Sequence, residues 1–221
     1  DIGGGAMFMA LGLVSGILRA RESGQGQVID GAITDGCAVM TMLIQGLRSQ
    51  RLWLDRLQCN ALDGGAHWYD CYQCADGEWI SVGALEPQFY QLLLQKCGLT
   101  GQGLEQAQFD FANWPALKEK FAAVFRQRTR AEWCELLEGT DVCFAPVLNF
   151  AEAQQHPHNR ARNAYIEVDG ITQPAPAPRF SATPGEVRSP PAGIGGDTNA
   201  VLESVGYSAD EIAALTGAGI V

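Results

Sequence analysis

Trp68-Tyr-Asp-Cys-Tyr-Gln-Cys-Ala-Asp-Gly-Glu-Trp-Ile-Ser-Val-Gly-Ala-Leu-Glu-Pro-Gln-Phe-Tyr90 is the stretch that decides the fold class. Trp68 to Cys74 and Glu78 to Val82 are aromatic and β-branched runs joined around Asp76-Gly77, a β-hairpin signal. Pro87 then stands where a helix begins, and Gln88 to Cys97 keeps helical spacing up to Gly98. A hairpin running into a helix predicts a mixed α and β unit. Glu86 precedes proline and is therefore held extended. On its position alone it serves as a first-turn acid favoured by the helix dipole.

Working outward, Trp114 to Arg128 is an amphipathic helix, and Thr129-Arg-Ala-Glu132 is a capping box for the next one. Val142 to Val147 reads as a strand, Asn149-Phe-Ala-Glu152 as a helix start, and Ile171 to Pro191 as a proline-rich extended connector. Ser208-Ala-Asp-Glu211 caps a last short helix that stops at Gly217. Upstream, Gly3-Gly4-Gly5 opens a run with apolar residues at 7, 11, 14 and 18 and others between. A helix apolar nearly all round belongs inside a larger body. Gln27 to Ile33 reads as a short strand and Cys37 to Arg51 as a second apolar helix. The expected organisation is residues 1–60 as helices of a large domain with a linker, 61–170 as a small α+β domain, and 171–221 as a connector and tail returning to the large domain.

The 221 residues are 47% hydrophobic and 18% charged, which excludes disorder along the whole chain. A net charge of -10 argues against a nucleic-acid binder. The apolar run Ala6 to Leu18 is too short to span a bilayer, and no signal-peptide pattern precedes it. Seven scattered cysteines, an odd number, fit reduced thiols in a cytoplasmic protein. Cys71 and Cys74, with His67 nearby, resemble metal ligands only weakly, because their odd spacing on a strand points the thiols to opposite faces. His156-Pro-His158 reads as a solvated turn. No metal is expected.

Asp1-Ile-Gly-Gly-Gly5 has two readings. The plain one is an N-cap, with the Asp1 side chain accepting backbone N–H bonds. In the functional one, amides at the helix start around Gly3, Gly4 and Gly5 hold a developing oxyanion while the carboxylate moves a proton. Spacing alone favours the plain role for both Asp1 and Glu86.

Several segments together resemble one family. They include Asp1-Ile-Gly-Gly-Gly-Ala-Met-Phe8, Gly24-Gln-Gly-Gln-Val-Ile-Asp30, Leu62-Asp-Gly-Gly-Ala66, Tyr69-Asp70, Cys74-Ala-Asp-Gly77, Val82-Gly-Ala-Leu-Glu-Pro-Gln-Phe-Tyr90, Pro146-Val147, Pro176-Ala-Pro-Arg-Phe180 and Gly206-Tyr-Ser208. The chain is similar to the class III CoA-transferase superfamily of the CaiB/BaiF type, and within it to the α-methylacyl-CoA racemases. The likeness runs through the chain in order and covers the C-terminal part of such a protein.

The resemblance implies an α/β fold: helices and tail of a Rossmann-like large domain, plus an α+β small domain. It implies two interlocked chains, a homodimer, with the active site between the large domain of one and the small domain of the other. It implies proton transfer at the α-carbon of a 2-methylacyl-CoA thioester through an enolate, with an acid/base on each face. Asp1 matches the family's Asp, Glu86 its Glu, and Gly3, Gly4 and Gly5 the glycines at the helix start. The family's His falls upstream of Asp1, so His67, His156 and His158 are not its match. CoA enters as part of the substrate and no separate cofactor is implied.

The 221-residue chain is expected to be inactive alone. A free α-ammonium on Asp1 would depress its carboxylate, and the lysines are only Lys96, Lys118 and Lys120. The alternatives are a fragment of a class III CoA-transferase, with Asp1 as nucleophile, and a non-catalytic dimerising or binding module.

Overall fold

The computed structural model describes residues 1–221, which fall into two compact units, Asp1–Val147 and Leu148–Val221. All strand pairings are antiparallel.

The first unit opens with a π-helical turn, Ile2–Ala6, continued by α1 (Met7–Ser23). Two short helices follow, α2 (Ile33–Met40) and α3 (Met42–Ser49), interrupted at Thr41. The single helix expected over 37–51 is thus broken in two and begins earlier. The strand expected over Gln27–Ile33 is not formed: residues 25–32 are irregular and Val28 is 96% exposed. A β-prone run becomes a strand only where a partner strand pairs with it, and this chain supplies none there.

Backbone packing fixes the N-terminal turn. On α2, Ile33, Gly36, Cys37 and Met40 form one helical face, and that face meets Gly3, Gly4 and Gly5. A methyl group placed on Gly36 would lie 1.9 Å from the Gly4 carbonyl oxygen, and one on Gly4 would lie 2.7 Å from Cys37 Sγ. Further along, Gly12 and Gly16 abut Ile29. The helical stretch Ile2–Ser23 is 22 residues with mean hydropathy 1.5, long and apolar enough to cross a bilayer. The 13-residue run alone understated it. Its glycine contacts are those of a helix packed on protein. The expectation of a buried helix does not hold within these residues, because Met7, Leu11, Val14 and Leu18 remain exposed.

The hairpin forms as the sequence predicts, as β1 (Tyr69–Gln73) and β2 (Trp79–Gly83), with Tyr69 opposite Gly83 and Gln73 opposite Trp79. Helix α4 (Pro87–Lys96) begins at the expected proline, with Glu86 as its N-cap. Helices α5 (Trp114–Phe125) and α6 (Arg130–Leu137) follow, the latter behind the Thr129–Glu132 capping box. Strand β3 (Phe144–Pro146) then pairs with β2.

Tyr72, Ile80 and Val82 on one sheet face pack with Phe121 and Phe125 of α5 and Trp133 of α6 in one core. His67 lies inside that core, fully buried, its Nε2 2.9 Å from Tyr90 Oη. Tyr90 donates its own proton to the Leu104 carbonyl. Nε2 of His67 therefore carries the proton, and Nδ1 is left without a partner.

The second unit holds α7 (Phe150–Gln155), α8 (Pro157–Ala161), the hairpin β4 (Tyr165–Val168) and β5 (Ile171–Pro174), α9 (Thr198–Ser204) and α10 (Ala209–Gly217). Capping boxes start α7 at Asn149 and α10 at Ser208, both as expected. Two expectations are corrected. His156 caps the short helix α8, so His156-Pro-His158 is a helix start and not a free turn. The connector expected from Ile171 begins as a strand. Asp169 and Gly170, at φ 50° and 77°, make the tight turn that returns β5 along β4.

Two outcomes follow from this packing. Gly36→Ala should cost about 2 kcal/mol or more in urea unfolding. Gly46→Ala, in α3 with open space around it, should stabilise by about 0.5–1 kcal/mol. Equal effects would refute the close contact. Burial also lowers the His67 pKa from 6.5 to about 4. Between those values the unfolded chain binds the extra proton, so stability is full above pH 6.5 and falls as the pH drops toward 4. The full loss is about 3 kcal/mol. A urea midpoint that stays flat between pH 6.5 and 5 would contradict a buried neutral His67.

Candidate functional site

Asp1 and Glu86 each stand at a helix start, and neither behaves as a capping acid. The Asp1 carbonyl accepts bonds from Gly5 N at 3.1 Å and Ala6 N at 2.8 Å, but its carboxylate makes no capping bond. The plain N-cap reading of Asp1 therefore fails, because the wide first turn takes its bonds through the main chain. The Glu86 carboxylate likewise makes no capping bond, while its carbonyl accepts from Phe89 N and Tyr90 N, both at 3.0 Å. Elsewhere in the chain, Glu132 and Glu211 are locked into capping boxes, and hydrogen bonds from Thr129 and Ser208 hold their carboxyls below the usual range. No hydrogen bond or ion pair joins Asp1 to Glu86 within one chain. Gly4 is buried against α2, so the small size of these glycines serves the close packing. The amides of Ile2, Gly3 and Gly4 precede the first main-chain bond of the turn and remain free donors.

Glu86 is seated by a residue the sequence did not single out. Gln108, 5% exposed, donates from Nε2 to the carbonyls of Ala84 (3.2 Å) and Leu85 (2.8 Å). Its own carbonyl accepts from the indoles of Trp68 and Trp114, each at 2.8 Å. One loop residue thus ties the segment before Glu86 to the core.

Beside this junction the outer face of the sheet forms a cleft of about 460 Å³, lined by Tyr69, Cys71, Ser81, Gly83, Cys143 and Ala145. The strand register puts Tyr69, Cys71, Ser81, Gly83 and Ala145 on one face. Cys143 adjoins it through its carbonyl, which accepts from Gly83 N. Burial, then the nearby Glu86 and Asp141, push the Cys143 thiol up. Burial and then Asp70 do the same for Cys71. Both thiols are therefore poor nucleophiles.

Asp63, Gly64 and Asp70 close one end of the cleft. Lys118 Nζ lies 2.6 Å from Asp70 Oδ2 and donates to the Gly64 carbonyl. The sequence signal for Lys118 was its place on α5, a lysine on the same face as buried Trp114, Phe121 and Phe125. Asp63 accepts from Asn60 and Gly65. Burial opposes its ionisation, but these bonds outweigh burial and hold its carboxyl below the usual range.

Cys71 is exposed and Cys74 buried, so the two thiols diverge, and no group of three or more metal-binding side chains occurs. His67 is enclosed by the core and cannot face a substrate.

Gln108→Ala should lower stability by about 2 kcal/mol, because two carbonyls lose their donor. It should also speed amide exchange at Phe89 and Tyr90, which bond to Glu86. Unchanged exchange there would show that Gln108 does not seat Glu86.

Over 219 residues the chain is 43% identical to an alpha-methylacyl-CoA racemase of Mus musculus, covering 97% of this chain and 57% of that protein. It is 39% identical to the Homo sapiens alpha-methylacyl-CoA racemase, covering all of this chain and 58% of that protein. The chain thus spans a little over half the length of these curated relatives. A CAIB/BAIF family protein from Brucella suis shares the fold at TM-score 0.67 and 18% identity, covering 90% of this chain and 53% of that one. A hypothetical protein from Mycobacterium tuberculosis matches equally well, at TM-score 0.67 and 19% identity, over 88% of this chain and 52% of that one. The family model for CoA-transferase family III matches residues 1–198, and the chain belongs to that family.

Proposed function

We propose that this chain supplies Asp1 and Glu86 to an α-methylacyl-CoA racemase site, which moves the α-proton of a 2-methylacyl-CoA thioester. The observation that carries this reading is that both carboxylates stand at helix starts with no capping bond or ion pair, unlike Glu132 and Glu211, which are held in capping boxes. Their motifs lie in a chain 43% identical to a named racemase.

A thioester α-proton is weakly acidic, so its removal needs a base on the carbon and donors at the oxygen where charge collects. Asp1 acts as the base on one face. The free amides beside it stabilise the enolate oxygen. Inversion requires that the proton return from the opposite face. Glu86 assists there, beside a histidine that the family resemblance places outside the matched positions. Asp1 and Glu86 are proposed to meet across two copies of the chain, a reading supported by the lack of any bond between them within one copy.

The 221-residue chain is therefore expected to leave the α-hydrogen of 2-methylacyl-CoA unexchanged in D2O, read by NMR. The same chain within a polypeptide of the relatives' length is expected to exchange it. There, Asp1→Asn should slow exchange about 100-fold or more, with circular dichroism unchanged. Exchange by the 221-residue chain alone would overturn this division of labour, and full activity of the Asp1→Asn protein would overturn the role of Asp1. The family's transferase name favours a second reading, in which Asp1 attacks the thioester carbonyl, releases CoA thiolate and forms an acyl anhydride. CoA transfer between two acids without α-exchange would select it.

A further inference from the structure

Two acids, Asp63 and Asp70, line the end of the cleft on the sheet face, and no lysine or arginine lines it. Asp63 is committed to Asn60 and Gly65. Asp70 is answered from behind by Lys118 of α5, whose Nζ lies 2.6 Å from Asp70 Oδ2. The two side chains are 24% and 23% exposed. A pair buried to that degree is screened less by water than a surface pair, so removing Lys118 would leave an uncompensated charge at the cleft's edge.

The same ammonium fixes the glycine loop. Gly64 has φ 81°, and a side chain there would lie 3.2 Å from Asp70 Oδ1. The peptide unit between Gly64 and Gly65 is held at both ends, its carbonyl by Lys118 Nζ and its amide by Asp63 Oδ1 at 3.1 Å. Gly65 in turn rests on the backbone of Asn60, where an added methyl group would come within 2.6 Å of the Asn60 nitrogen. The amide of Gly64 itself finds no acceptor in the chain, in a residue that lines the cleft. An N–H that is fixed in place and unpartnered is a preorganised donor to a ligand oxygen.

We propose that Lys118 is a positioning residue of the site: it cancels the charge of Asp70 and holds the Gly64 carbonyl, so that the Gly64 N–H is offered to the carbonyl oxygen of an acyl-CoA thioester. This rests on the reading that the cleft beside Glu86 takes such a thioester. Charge collects on that oxygen when the α-proton leaves. A bare carboxylate nearby would oppose it and a fixed N–H would favour it, and Lys118 governs both.

The test is isothermal titration of the polypeptide of the relatives' length, carrying Asp1→Asn so that no turnover intervenes. The ligands are a 2-methylacyl-CoA and the matching thioether, which lacks the carbonyl oxygen. Lys118→Met should weaken thioester binding about tenfold and leave thioether binding within about twofold. Lys118→Arg keeps the charge and the donors and should restore the thioester affinity. Asp70→Asn removes the acid but keeps the bond from Lys118 to Gly64, so it should also retain that affinity. The Met side chain preserves the packed stem, so circular dichroism should not change; if it does, Lys118→Gln, too short to reach Gly64, takes its place. Thioester binding unchanged in Lys118→Met, equal weakening of both ligands, a loss in Asp70→Asn as large as in Lys118→Met, or no binding of the thioester at all overturns the proposal. The α-hydrogen exchange of the protein with Asp1 intact is read separately. Exchange without these affinity losses removes the role of Lys118 and leaves the racemase reading, and the losses without exchange do the reverse.

Discussion

Four hydrogen bonds at Gln108 hold the strand-to-helix corner before Glu86 to the core of the first unit. The indoles of Trp68, before the hairpin, and of Trp114, at the start of α5, both donate to one carbonyl, and the side chain of the same residue donates to the two carbonyls that precede Glu86. In a buried setting each of these polar groups would be costly if left alone. Together they leave little freedom for the loop, and the loop in turn leaves little freedom for the strand-to-helix corner. The sheet face, the aromatic core and Glu86 are positioned as one block.

What the sequence revealed was mostly local. The Asp76-Gly77 hairpin, the proline at the start of α4 and the capping boxes at Thr129, Asn149 and Ser208 are short-range devices whose geometry is written into neighbouring residues. What it hid was non-local. Gln27 to Ile33 has strand chemistry but no partner strand in this chain. The Asp169-Gly170 turn carried a hairpin signal of the same kind as Asp76-Gly77, but the prolines that follow masked it. Gln108 sits in a loop with no periodicity, and its role exists only once residues 24 positions away approach it. Lys118 was legible in principle as a cation on an apolar stripe, though its partners, Asp70 and the Gly64 carbonyl, were not.

The acids at helix starts divide by position. Glu132 and Glu211, at the third helical residue, are spent on capping boxes and ionise easily, whereas Asp1, Glu86 and Asp197, at the N-cap itself, make no side-chain cap bond. At Asp1 the difference lies in the wide first turn, which satisfies the main chain by itself. At Glu86 the helix begins with Pro87, and the Glu86 carbonyl accepts from Phe89 N and Tyr90 N while its carboxylate makes no cap bond. An acid that the backbone does not need is available for chemistry.

The contact between Gly36 and Gly4 also has a mechanical meaning. Side chains in contact yield by rotating about their bonds, so most packed interfaces are soft over the first few tenths of an ångström. Here one backbone rests on another, with no torsion between them to absorb a shift. Any tilt of α2 therefore passes undamped into the turn that carries Asp1, three residues away. A disturbance that reaches α2 from a distance would displace the carboxylate before it loosened anything in between.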